Sequence, residues 1–174
     1  MDPLKVGVAS GVVVAAVGGG LGLKFILDGR VVTLEGNSSY SGDENKTKVG
    51  GKFASLLASV DEGVNASFWS ERVHSLASRH EELQIKTDGF FKDAKTEFEA
   101  YKKELKKEKA ARDDLEAKAK NATEKVKEKC KARYGEDTPI SNISDEDKPK
   151  WKEFWEFCSV EGKDKTDTMV SQPS

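Results

Sequence analysis

Residue types that build active sites are scarce in this chain. Its 174 residues include only two histidines and two cysteines. The histidines, His74 and His80, stand six apart and cannot form the i, i+4 pair of a helical zinc site, and His80-Glu81-Glu82 has no second histidine to complete a zincin motif. No serine sits in a nucleophile elbow. A charge of one sign is missing as well, since Lys plus Arg (29) nearly cancels Asp plus Glu (31) and the two signs interleave. Nucleic-acid binding by counterion release needs a net basic surface or stripe, so that class of partner is not expected. These absences predict a protein that is not an enzyme and carries no cofactor and no metal.

What is present begins with eighteen uncharged residues, Val6 to Leu23, between Lys5 and Lys24. At ~1.5 Å per residue such a helix falls slightly short of a ~30 Å hydrocarbon core, and Phe25, Ile26 and Leu27 supply the missing turn while Lys24 snorkels. The segment 1–27 therefore reads as a membrane anchor in contact with lipid, with Val6, Val12, Val13, Val14, Leu21 and Leu23 as its bulky apolar residues. Gly18, Gly19, Gly20 and Gly22 suggest a phosphate loop only superficially, because Lys24 is followed by Phe25 and not by Ser or Thr. A cleaved signal peptide is the open alternative, with Lys5 as its basic start and Ala15 to Gly20 as its small-residue cleavage zone. Lys5 on one side and Lys24 with Arg30 on the other leave the orientation undecided by charge.

Beyond the anchor, residues 28–51 are polar and rich in Gly and Ser and read as a flexible stalk, followed by a helical domain over 52–159. The apolar spacing predicts a first helix over Lys52 to Val60. A second starts near Asn65 as N-cap and carries Trp69, Val73, Leu76, His80 and Leu83 on one face. A long charged helix is expected from Asp88 to Tyr134, stopped by Gly135 in a left-handed conformation. Its coiled-coil-like seam runs through Phe91, Ala94, Phe98, Tyr101 and Leu105, loses apolar character at Glu108 and Arg112, and resumes at Leu115, Ala119, Ala122 and Val126. That gap predicts a bundle or hairpin in which the middle of the helix projects into solvent. Ser144 and Asp147 fit a capping box for a short last helix, on which Trp151, Phe154, Trp155 and Cys158 form one aromatic packing face. The tail, 160–174, lacks an apolar pattern and reads as disordered. The fold class is all-α, an N-terminal transmembrane helix followed by a helical hairpin or bundle.

The cysteines carry most of the remaining information. Cys130 falls near the end of the long helix and Cys158 at the end of the aromatic face, so a hairpin brings them together. In an exported domain, a disulfide closing this loop stabilises by about 2 to 4 kcal/mol. Two separate buried thiols are the alternative in a reducing compartment. All five asparagines, Asn37, Asn45, Asn65, Asn121 and Asn142, begin Asn-x-Ser/Thr triplets, a pattern suited to a glycosylated surface protein.

The opening Met1 to Ser10 leading into a Gly/Ala/Val anchor, the Phe68-Trp69-Ser70-Glu71-Arg72 segment, and Lys129-Cys130 through Tyr134 followed by Trp155-Glu156-Phe157-Cys158 resemble the large paralogous families of uncharacterised proteins in hemotropic mycoplasmas. The resemblance implies a wall-less bacterial membrane, an outward-facing domain, and a part in host contact or antigenic variation. It makes the five triplets coincidental. The sequence reading is thus a single-pass membrane protein with an extracellular C-terminal domain that binds a protein partner of the host or itself. The alternative is a membrane-tethered cytoplasmic scaffold that binds partner helices. The full chain is expected to stay with membranes through an alkaline wash. Full-length, unprocessed protein in the soluble fraction would contradict the anchor, and a truncated secreted form would favour the signal peptide.

Overall fold

In a computed structural model the described residues are 31–36, 38–40, 42–79, 85–137 and 143–170. The anchor expected over 1–27 lies outside them. Among the described residues no helix is long and apolar enough to cross a membrane. The architecture is helical and, among the described residues, without named strands: α1 (Val49–Lys52), α2 (Ala66–Ser78), α3 (Lys95–Leu105), α4 (Arg112–Tyr134), α5 (Lys148–Cys158) and α6 (Thr166–Val170).

The long helix divides in two. Between Leu105 and Leu115 there is no large apolar side chain, so a helix continued through this stretch would bury nothing. Instead Lys107 donates to the Glu104 carbonyl in a tight 3.1 Å turn, Ala111 is extended, and α4 starts at Arg112. Asp113 and Asp114 in the first turn of α4, and Lys131 and Arg133 in its last, match the helix dipole. The chain reverses, and α4 runs back antiparallel along α3: Glu104 meets Lys118 at 3.6 Å near the turn, and Asp93 meets Lys129 at 2.9 Å at the far end. The reversal brings the two halves of the broken seam onto one core, where Phe91, Ala94, Phe98, Tyr101, Ala122 and Val126 are buried. The single helix expected from Asp88 to Tyr134, its middle projecting into solvent, is therefore corrected to two antiparallel helices, while α4 and α5, between which the hairpin was expected, do meet at Cys130 and Cys158. Gly135 does end α4, though in a right-handed conformation.

Three further expectations need correction. The helix anticipated over Lys52 to Val60 is replaced by the short α1, a turn, and an extended stretch. Leu57, Ala58, Ser59 and Val60 are all buried, a run that no one-faced helix provides. Extended backbone here is paired on both sides. Leu34 N–H donates to the Leu57 carbonyl (3.0 Å) and Ser59 N–H to that of Val32 (2.9 Å). On the other side Ala58 N–H donates to the Cys158 carbonyl (3.0 Å) and Val160 N–H to that of Leu56 (2.9 Å). The described part of the 28–51 segment is not a free stalk, because Leu34 and Val49 are fully buried and Lys48 pairs with Asp137 at 2.8 Å. Nor are residues 160–170 of the tail disordered: Met169 of α6 is fully buried and its sulfur accepts a hydrogen bond from the Trp155 indole at 3.2 Å. A lone methionine gives no period to read, which is why the sequence concealed this contact.

Phe98 is fully buried in the α3–α4 seam, whereas Glu108 and Arg112 are exposed at the turn. Phe98→Ala is expected to cost about 3 to 5 kcal/mol in equilibrium denaturation, and Glu108→Ala and Arg112→Ala only tenths of a kcal/mol. Equal effects at the three positions would refute this register.

Candidate functional site

The residues singled out in the sequence converge where α4 and α5 meet the extended 56–60 stretch. Cys130 of α4 and Cys158, the last residue of α5, are both fully buried and lie at disulfide distance, with alpha carbons 5.7 Å apart. One turn beyond Cys130 stands Tyr134, and one turn before Cys158 stands Phe154, with ring centres 6.2 Å apart. Trp151, Phe154 and Trp155 are buried and stack edge to face, Trp151 to Phe154 at 5.4 Å and Phe154 to Trp155 at 5.3 Å. Phe157, on the other side of α5, packs on Phe91 and Phe98 from the α3 side.

Two polar side chains brace this junction, Tyr134 against the extended stretch and Arg72 at the end of α5. The buried Tyr134 hydroxyl points at the carbonyls of Ala58 (3.0 Å) and Cys158 (3.3 Å), and burial pushes its pKa well above the usual value. Arg72 of α2 reaches the end of α5, donating to the carbonyls of Glu156 and Val160, both at 2.7 Å. Carbonyls at a helix C-terminus lack partners within the helix, so a guanidinium there answers both their hydrogen-bonding need and the dipole. Arg72 also lies over the Phe68 ring at 5.0 Å. Burial, then the neighbouring Arg79, lowers its pKa to about 10, so it stays charged at neutral pH. Gly162 makes room for it: its φ of +64° suits glycine, and a Cβ there would collide with the guanidinium.

In the Phe68 to Arg72 segment, Phe68, Trp69 and Arg72 are buried and have structural roles. The Trp69 indole donates to the Ser59 carbonyl at 2.8 Å. Asn65 occupies the N-cap position of α2 with a left-handed φ of 56°, but its side chain does not cap the helix. Its Nδ2 donates to the Val32 carbonyl (2.7 Å) and lies 3.1 Å from that of Ser59, while its Oδ1 accepts from Val32 N–H at 2.9 Å. A glycan on Asn65 would displace these bonds. Asn45 donates to the Ser39 carbonyl, Asn121 is exposed on α4, and Asn37 and Asn142 lie outside the described residues. Ser144 Oγ accepts from Asp147 N–H (3.2 Å) and donates to its carboxylate (2.8 Å), which caps the turn that leads into α5.

Chemically the junction is closed. Tyr134 and Arg72 are engaged with backbone, and no group of three His, Cys, Asp or Glu among the described residues could hold a metal. His74 Nδ1 lies 2.7 Å from the Tyr101 hydroxyl. Burial lowers the pKa of His74 and raises that of Tyr101 to about 12, so a neutral imidazole and a protonated hydroxyl share this hydrogen bond and join α2 to α3. His80 lies outside the described residues. A shallow depression of about 100 Å³ between Leu56 and Val160 is well below the size of an ordinary small-molecule pocket.

Sequence reasoning named Arg72 and Tyr134 without seeing what they hold, and missed Met169. Arg72 left a trace, an arginine three residues from Trp69 and beside Val73 on an otherwise apolar face. Tyr134 left one too, at four residues from Cys130. The chain matches no protein family, no curated protein and no solved structure.

Tyr134→Phe keeps the ring and removes the hydroxyl, leaving the buried carbonyls of Ala58 and Cys158 with one partner fewer. It should cost about 1 to 2 kcal/mol in denaturant unfolding. Gly162→Ala should cost at least as much, about 1 to 3 kcal/mol from the left-handed φ alone, and a neutral result at Gly162 would show that Arg72 is held less tightly than its bonds imply.

Proposed function

We propose that the protein is a single-span surface protein, anchored by its Val6 to Leu23 segment, whose helical domain faces outward as a non-catalytic interaction module or variable antigen. The observation that carries this reading is the meeting of Cys130 and Cys158, the chain's two cysteines, at 5.7 Å between alpha carbons in the centre of the core. A disulfide persists in an oxidising compartment and is uncommon in a reducing one, so a cystine built into the packing supports export. The resemblance read in the sequence to uncharacterised families of hemotropic mycoplasmas implies the same direction, with host contact as the role. The surface is compatible with contact through polar groups: apart from Val32, the large apolar side chains of the described residues are covered, while α4 turns charged residues such as Asp113, Lys120, Glu124 and Lys131 to solvent.

Protease added to intact cells is expected to remove the domain, and non-reducing peptide mapping of the released material should recover one peptide pair joining Cys130 to Cys158. A protected domain with two free thiols would reject export and leave the tethered cytoplasmic scaffold as the better reading.

A further inference from the structure

Glu153 is the one member of α5 whose burial the packing of the helix does not explain. It is 4% exposed, both of its carboxylate oxygens are shielded from solvent, and neither makes a hydrogen bond among the described residues. Over it lies the turn Lys86 to Gly89, closed by a Gly89 N–H to Lys86 carbonyl bond of 3.3 Å. Gly89 is itself buried, and a Cβ at that position would sit 2.7 Å from Glu153 Oε2, so the turn backbone rests on the carboxyl group. Immediately after the turn, Phe90 packs edge to face on Trp151 at 5.0 Å, and the Arg133 guanidinium covers the Phe90 ring at 3.5 Å. Glu153 and the Phe90–Trp151–Arg133 stack are thus two attachments of this turn to the α4–α5 junction, beside the buried Ile85 before it and the Phe91–Phe157 contact after it.

An ionised carboxylate in that position has only the Lys86 backbone N–H beside it, too poorly placed to form a full hydrogen bond in place of its lost water, whereas a neutral carboxyl carries a far smaller desolvation cost. The charged groups around it do not remedy this. Lys86, on the turn, lowers its proton affinity through its backbone and its charge but leaves both oxygens unbonded. Asp88 of the same turn and Glu156 of α5 raise it, and Lys150 of α5 is engaged by Asp147. We propose that Glu153 and the Lys86–Gly89 turn form a proton-operated latch, in which the turn is held on α5 while the carboxyl is neutral and is released when it ionises.

The sign follows from proton binding. Burial pushes the Glu153 pKa up to about 7 with the turn closed, from an ordinary value of 4.5 when the group is solvated. The closed form therefore binds the proton more tightly, and its advantage is complete below the solvated pKa, shrinks as pH rises between the two values, and is gone above the higher one. Between about pH 5.5 and about pH 8, these two pKa values give a loss in the closed-to-open ratio of roughly thirty-fold.

Amide hydrogen exchange on the full chain, corrected for the intrinsic pH dependence of exchange, tests the latch. Protection of residues 86–92 should fall by roughly that factor from the lower to the higher pH, while protection within α2 stays level. Glu153→Gln, which keeps the shape of the neutral carboxyl, should make protection of the turn independent of pH. Carbon-13 titration of the Glu153 carboxyl in the unsubstituted chain supplies the second readout, whether or not the variant folds. A titration midpoint above about 6 is expected. A midpoint below about 5, or turn protection that does not change with pH, would overturn the proposal.

Discussion

The structure is organised around one demand, that backbone buried without a helix must find its hydrogen-bond partners elsewhere. The stretch from Leu56 to Val60 passes through the core in extended form, with neither a helix nor a full sheet to pair it. Its partners arrive from three directions: Val32 and Leu34 on one side, Cys158 and Val160 on the other, and the Trp69 indole and Tyr134 hydroxyl from helices packed across it. Every helix that touches this stretch is thereby fixed in register. Cys130 and Cys158 sit at the same point, so the cystine link and the hydrogen bonds restrain the same two helices, α4 and α5.

That arrangement has a consequence for what the molecule can do. Aromatic rings and backbone pairing fill the interior and leave no enclosed space of ligand size at the junction, while charged side chains cover the outside. A domain so built is suited to presenting a shape. Its surface charges are mostly paired within a turn or two of the same helix, as Arg112 is with Glu116 and Lys125 with Glu128, so they contribute little to stability and are free to vary. A fold held by a cystine, a buried tyrosine and a buried arginine tolerates surface change, which accords with the antigen reading proposed above.

Much of this was legible in the sequence, wherever apolar residues recur with a helical period. The face of Trp151, Phe154, Trp155 and Cys158, the seam from Phe91 to Tyr101, and the meeting of the two cysteines all follow from spacing. The break after Leu105 was marked by the loss of apolar residues at Glu108 and Arg112, and it could be read either as a projecting helix or as a reversal. Spacing alone does not separate them, because both leave those residues in water. What stayed hidden is the contribution of segments with no period. Leu34, Val49 and Met169 are single apolar residues in polar surroundings, and the run from Leu57 to Val60 pairs with chain that lies far away in sequence. Glu153 was hidden for another reason: its position between Trp151 and Phe154 gives no sign that a turn from residues 86–89 would cover it.

The central claim is that the Cys130–Cys158 link and the extended 56–60 stretch form one stabilising unit. Equilibrium unfolding of the full chain in denaturant, run once oxidised and once with excess reductant, tests it most directly. The account predicts that reduction removes about 2 to 4 kcal/mol, and that amide protection at Ala58 and Val160 drops together with that of α5. Equal stability in the two conditions, with protection of those amides unchanged, would contradict it.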